Sequence, residues 1–196
     1  MSRTRTVEIQ ANSPPLSFLK SRVLLCTMGS LAFAALTAVG AMIQIPLQPV
    51  PITLQTMFVV LGGAILGPGF GALGQVFYLV MGSSGIPVFA GSAAGMGILT
   101  GPTGGYLIGF ALAAVLVGRL IRLRTSFWWQ LLTFYLGSQV ILSLGVLHLG
   151  LFYTDGFREA FTVGYLPFIP GDLLKIVATT SIYRSYVALR RTRFSG

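Results

Sequence analysis

Residues 23–45 and 127–152 each run without a single Asp, Glu, Lys or Arg. At about 1.5 Å rise per residue, a helix over either stretch crosses the ~30 Å hydrocarbon core of a bilayer. Inside that core every backbone polar group must be satisfied by the segment itself, which leaves helices as the spanning element for runs of this length. The first run, preceded by Lys20 and Arg22, is also too long for the 7–15-residue apolar core of a signal peptide. The rest of the chain agrees: 54% of its 196 residues are hydrophobic and 9% are charged, far from the balance of a soluble domain. Spans of about 20 residues leave room for roughly five to seven helices, one bundle and one domain.

Reading along the chain gives an all-α, polytopic membrane protein with six transmembrane helices. Residues 1–20 form a polar tail, 21–190 the membrane domain and 191–196 a basic C-terminal tail. The expected spans are 23–45, 54–67, 70–81, 106–120, 127–152 and a last one reaching residue 189. The third would rise only about 18 Å, so the second and third spans are expected to tilt or to extend into their loops. Pro46, Pro49 and Pro51 end the first helix and hold residues 45–52 extended, because proline disfavours helical backbone in the residue before it. Residues 82–104 carry no charge, many glycines and the apolar core Ile86-Pro87-Val88-Phe89-Ala90. Apolar irregular backbone survives at membrane depth only when buried in protein or lining a cavity, which predicts a folded cap or a re-entrant loop.

With six spans, eleven of the thirteen Lys and Arg residues fall on one side; Arg158 and Lys175 are the exceptions. The positive-inside rule then places both termini in the cytoplasm, and the Pro-rich loop, the Gly-rich loop and the start of the last helix at the external end. The net charge of +9 does not imply a nucleic-acid partner, because the bases sit beside apolar runs rather than on one solvated face. The sequence has no phosphate-binding Gly-Lys-Ser/Thr loop, no His-Glu-x-x-His and no Gly-x-Ser-x-Gly. One His and one Cys leave little material for metal or thiol chemistry. His148 has no second ligand at helical spacing and reads as a packed or interfacial residue.

The candidate site is the stretch Pro170-Gly171-Asp172-Leu173-Leu174-Lys175. Three residues apart on a helix, Asp172 and Lys175 share a face, and Pro170 suits a first turn because its missing N–H would be unpaired there. An acid and a base opening an otherwise apolar span call for a partner or a ligand; an ion pair locking two helices is the alternative. A pocket at this end would be apolar with few polar groups, as small-molecule sites are. Lys175 could hold a carboxylate, Asp172 could accept N–H donors, and Thr53 and Gln55 could complete a polar end.

Five segments carry a family likeness: Val50-Pro51-Ile52-Thr53-Leu54-Gln55-Thr56, Leu66-Gly67-Pro68, Gly85-Ile86-Pro87-Val88-Phe89-Ala90-Gly91, Leu99-Thr100-Gly101-Pro102-Thr103-Gly104-Gly105-Tyr106 and the Gly-Asp-x-x-Lys stretch. In order, over residues 32–177, the chain resembles the BioY family, the biotin-specific substrate-binding components of energy-coupling-factor vitamin transporters. The resemblance implies six helices with an external vitamin pocket, a bacterial cell membrane, biotin as transported substrate, no cofactor and no enzymatic activity. It also implies partners: a transmembrane coupling subunit and ATP-binding subunits. Asp172 and Lys175 are implied biotin contacts, with the ureido ring assigned to Asp172 and the valerate carboxylate to Lys175 on chemical grounds. Thr53 and Gln55 join them, and Tyr78 and Tyr106 are further candidates or interfacial aromatics. Ala34 and Ala38 resemble the Ala-x-x-x-Ala surface with which such components dock on the coupling subunit, although packing within the chain would use the same small residues. A stand-alone secondary carrier remains the rival function. A membrane enzyme would need a nucleophile and base beside Asp172, and neither is visible.

Overall fold

The structure, a computed structural model, describes residues 16–192. Their helices are α1 (Leu16–Met42), α2 (Gln55–Leu66), α3 (Pro68–Ser83), α4 (Met96–Thr100), α5 (Gly104–Leu120), α6 (Phe127–Phe152), α7 (Phe157–Gly164) and α8 (Ile169–Thr192); a short ribbon, β1 (Gln44–Ile45) and β2 (Ile52–Thr53), joins α1 to α2. α1, α6 and the stretch 157–192 are long and apolar enough to cross a membrane, while α2 and α5 are shorter apolar helices. α3 extends past the expected 70–81 to Pro68–Ser83, a rise of about 24 Å. α2 is only 12 residues and begins where the ribbon ends. The first fifteen residues of the expected tail lie outside the described chain, but 16–20 already belong to α1. At the other end α8 carries Arg190 and Arg191 in its last turn, so the helix runs into what the sequence suggests is a tail.

The Pro-rich segment is a closed loop. Its two ends pair antiparallel, Gln44 with Thr53 and Ile45 with Ile52, and the intervening Gln48–Pro49 peptide is cis. Between α2 and α3 the chain reverses on one residue, Gly67, at φ 86°. A side chain there would be strained and would also meet the Arg122 guanidinium that lies against the turn. Pro68 then opens α3 in the first-turn position proline favours.

Close backbone approach between α2, α3 and α5 brings the helices of the bundle together. A Cβ on Gly63 would lie 2.5 Å from the carbonyl oxygen of Ala114 in α5, and one on Gly71 of α3 would lie 2.6 Å from Gly63 Cα in α2. Lipid is as apolar as these side chains, so tight small-residue contacts and buried hydrogen bonds supply the specificity. Ser30 Oγ donates to Phe70 O at 2.7 Å, tying α1 to α3. At the start of α6, Ser126 Oγ accepts from Trp129 N at 3.2 Å, and Trp128 beside it is 75% exposed, as an aromatic at headgroup level would be.

The Gly-rich segment is folded. It contains a 3-10 turn at Ala90–Ser92 and the single-turn α4, and Phe89 N donates to Ala93 O at 3.1 Å. Phe89 is fully buried in the main core with Tyr78, Tyr106 and Phe110. The segment therefore caps the bundle, one of the two arrangements that its lack of charge allows.

Candidate functional site

The site grows from the first turns of α8. Lys175 Nζ sits 2.6 Å from Asp172 Oδ1, and the two side chains are 11% and 5% exposed. Asp172 Oδ2 accepts a hydrogen bond from Ser138 Oγ of α6. Its Oδ1 accepts no other hydrogen bond, so the ion pair is that atom's compensation for burial. Lys175 also donates to Thr56 Oγ1 at 2.8 Å and to Thr53 O at 3.2 Å. An ammonium has three N–H donors, and all three are engaged: by Asp172 of α8, Thr56 of α2 and the end of β2. The pair is thus a lock among α8, α6 and α2. One of its members does more.

Lys175 also lines a partly open cavity of about 130 Å³, together with Thr53, Gln55, Thr56 and Thr103. The rest of the wall is apolar: Val50 and Pro51 from the ribbon loop, Phe89 from the cap, Phe110 from α5, Ile141 and Leu142 from α6, and Phe168 just ahead of α8. Asp172 is not in that wall. It borders a cleft of about 10 Å³ between Ser138 and Thr179, at the lower limit for one water.

Of the residues singled out from the sequence, Lys175, Thr53, Gln55 and Tyr106 meet at the cavity; Asp172 stands behind Lys175, and Tyr78 stands behind Gln55. Thr53 Oγ1 donates to Gln55 Oε1 at 2.8 Å, Gln55 Nε2 donates to Tyr78 Oη at 2.5 Å, and Tyr78 Oη donates to Val88 O at 3.1 Å. This chain of bonds connects β2, α2, α3 and the cap across the floor of the site. Tyr106 donates to Gly164 O at 2.7 Å and stacks on Phe168, centroids 5.9 Å apart and planes 20° apart. Neither tyrosine is an interfacial aromatic.

Ala34 and Ala38 are 0% and 9% exposed and belong to the main core, so in this chain both side chains take part in packing within the bundle. His148 Nε2 lies 3.1 Å from Gly101 O and its ring packs beside Phe152 and Tyr153. It holds the base of the cap, and no cluster of metal-ligating residues occurs among the described residues.

The aromatic wall and Ser138 were not candidates from sequence. Phe89 lies within a quoted motif but reads there as one apolar residue among several. Ser138 had a usable signal: a hydroxyl in an otherwise apolar span tends to face the bundle interior, where it finds a partner.

A cavity of this build, set within an all-helical bundle, can be compared with known proteins. The BioY family model matches residues 16–192. The chain belongs to the BioY family. Among its relatives, the biotin transporter BioY of Thermotoga maritima is 45% identical over 150 residues, covering 76% of this chain and 88% of that protein. The biotin transporter BioY of Rhodobacter capsulatus is 36% identical over 177 residues, covering 84% and 93%. A crystal structure of the S-component for biotin from an ECF-type ABC transporter superposes with a TM-score of 0.79 at 26% identity, covering 86% of this chain and 93% of that one. The chain is an all-helical, multi-pass membrane protein.

Proposed function

We propose that this BioY chain is the biotin-binding component of a vitamin uptake transporter and that biotin occupies the cavity beside Lys175. The carrying observation is the cavity itself: a mostly apolar, aromatic pocket with one ammonium in its wall, the complement of a hydrophobic bicycle bearing a carboxylate tail. The names borne by the relatives and by the matching structure support the choice of vitamin. The valerate carboxylate is assigned to Lys175. Because Asp172 is buried behind the wall, its part is to orient and anchor Lys175, and the ureido ring is assigned to the Thr53, Gln55 and Thr103 groups that do reach the cavity.

At about 130 Å³ the cavity is below the ~300–1,000 Å³ usual for small-molecule sites. Entry of biotin therefore requires the cap, residues 84–103, to move outward, and Phe89 to leave its place against Tyr78 (centroids 5.5 Å apart, planes 83° apart). The described ties that would have to give include Tyr78 Oη to Val88 O, Gly95 N to Gly82 O, Tyr153 Oη to Thr100 O and His148 to Gly101 O.

The reading continues with six spans, both termini cytoplasmic and the cavity external, on the strength of the arginines at the opposite end. Lacking a phosphate-binding loop in its sequence, the chain would draw on a transmembrane coupling subunit and ATP-binding subunits for concentrative uptake. Radiolabelled biotin binding to the purified chain, followed by uptake with and without an energising module, tests both parts. Saturable binding displaced by unlabelled biotin, with accumulation only when the module is present, is the expected result. Absence of binding would refute the assignment of the ligand, and accumulation by the chain alone without ATP would replace the partner-dependent reading with that of a secondary carrier.

A further inference from the structure

The bundle end opposite the cavity collects Arg119, Arg122, Arg124, Arg184, Arg190 and Arg191, whereas the described carboxylates, Asp155, Glu159 and Asp172, all lie at the cavity end. Two grooves open there and share the walls Tyr183 and Val187. One, of about 390 Å³, is lined by Thr125, Gln130 and Arg184; the other, of about 730 Å³, by Ala64, Ile65, Arg122, Tyr186 and Arg190. Gln130 is 5% exposed. Its amide nitrogen donates to Thr125 O at 3.3 Å, while its Oε1 is buried in this region with no donor. Arg184 is steadied over the Phe127 ring at 5.7 Å, and Arg122 rests on the Gly67 turn.

We infer that these joined grooves bind an anionic phospholipid whose headgroup carries hydroxyls, of the phosphatidylglycerol type. The observations divide the ligand into three parts. A phosphate matches the Arg122, Arg184 and Arg190 guanidinium groups that line the grooves, since Arg recognises phosphate through charge-assisted bonds. A headgroup hydroxyl supplies the donor that Gln130 Oε1 lacks, and a buried acceptor left unmade is costly. Acyl chains would pack against the half-buried Ile65 and Val187, which line the second groove next to Arg122 and Arg190. A basic pocket between transmembrane helices at one leaflet is the setting in which lipid headgroups are held. Free inorganic phosphate offers the first part only, and a zwitterionic lipid lacks the net charge.

The test is native mass spectrometry of the full chain in detergent with equal phosphatidylglycerol and phosphatidylcholine of matched acyl chains, with thermal unfolding of each variant measured in parallel. The unsubstituted chain should retain phosphatidylglycerol preferentially. Arg122→Gln, Arg184→Gln and Arg190→Gln should each reduce that preference on the order of fivefold without altering biotin binding. Gln130→Leu should weaken phosphatidylglycerol but not phosphatidic acid, which has no headgroup hydroxyl. If a variant unfolds, the same preference is read on the unsubstituted chain as a rise in unfolding temperature with phosphatidylglycerol and none with phosphatidylcholine. Equal retention of the two lipids overturns the inference, as does full displacement of phosphatidylglycerol by inorganic phosphate, which would make this a free-anion site. An arginine effect on assembly with ATP-binding subunits without any lipid preference would overturn it too, assigning the cluster to a protein partner. None of these outcomes depends on biotin occupying the cavity.

Discussion

Replacing Lys175 alone and replacing it together with Asp172 should separate the lock from the ligand contact. In Lys175→Met the Asp172 carboxylate stays 5% exposed and loses the only compensation of its Oδ1, keeping Ser138 on Oδ2. Removing one partner of a buried pair costs about 3–5 kcal/mol. For domains of this size about 2–4 °C of melting temperature accompany each kcal/mol, so a fall of roughly 6–20 °C is expected. The double variant Asp172→Asn/Lys175→Met has no stranded charge, and Asn can still accept from Ser138. Since exchanging a whole buried pair for neutral groups is often near neutral, it should melt close to the unsubstituted chain. Binding should behave differently. The charge-assisted bond from Lys175 to the biotin carboxylate contributes roughly 1.5–3 kcal/mol, so the double variant should bind biotin about ten- to a hundredfold more weakly and biotinamide, which has no carboxylate, nearly as before. Thermal unfolding and titration calorimetry with both ligands read the two effects separately. Equal stability of the single and double variants would refute the lock, and equal losses for biotin and biotinamide would refute the carboxylate assignment.

Ser138→Ala strips Asp172 Oδ2 of its donor and should cost about 1–3 kcal/mol of stability, with a smaller loss of biotin affinity than in the Lys175 variants; an unchanged melting temperature would count against the lock. Gly82→Val places a side chain on the ring of the buried Phe89 and should displace the cap and abolish biotin binding, whereas Ser84→Ala, at an exposed cap position, should bind normally. Ala34→Trp forces an indole into a position 0% exposed, so it should lower both yield and biotin binding; intact binding with loss of coupled uptake would instead restore Ala34 to a docking surface. In a Cys26→Ser background, Ser84→Cys should react with a membrane-impermeant thiol reagent in intact cells and Thr125→Cys should not, and the reverse pattern would invert the proposed orientation.

Much of this molecule was legible locally. The uncharged run 127–152 is the helix α6 to the residue, because the hydrocarbon requirement acts on each segment by itself. Asp172 and Lys175 share a face and form an ion pair because three residues on a helix bring side chains together whatever surrounds them, and the uncharged, glycine-rich segment 82–104 folds as a cap because apolar irregular backbone needs protein around it. Which way each helix turns was not legible. In a soluble helix the polar stripe marks the outer face, but in spans such as α1 and α6 nearly every face is apolar, so periodicity cannot distinguish Ala34 packed in the core from Leu31 turned outward. The tertiary structure alone decided that Asp172 meets Ser138, 34 residues earlier, while Lys175 reaches across to Thr53 and the cavity. The same holds for the aromatic wall, since Phe89, Phe110 and Phe168 come together only when three separate segments pack. Rotation about a helix axis is set by neighbours far away in the chain, and close contacts such as Gly63 on Ala114 are what fix it.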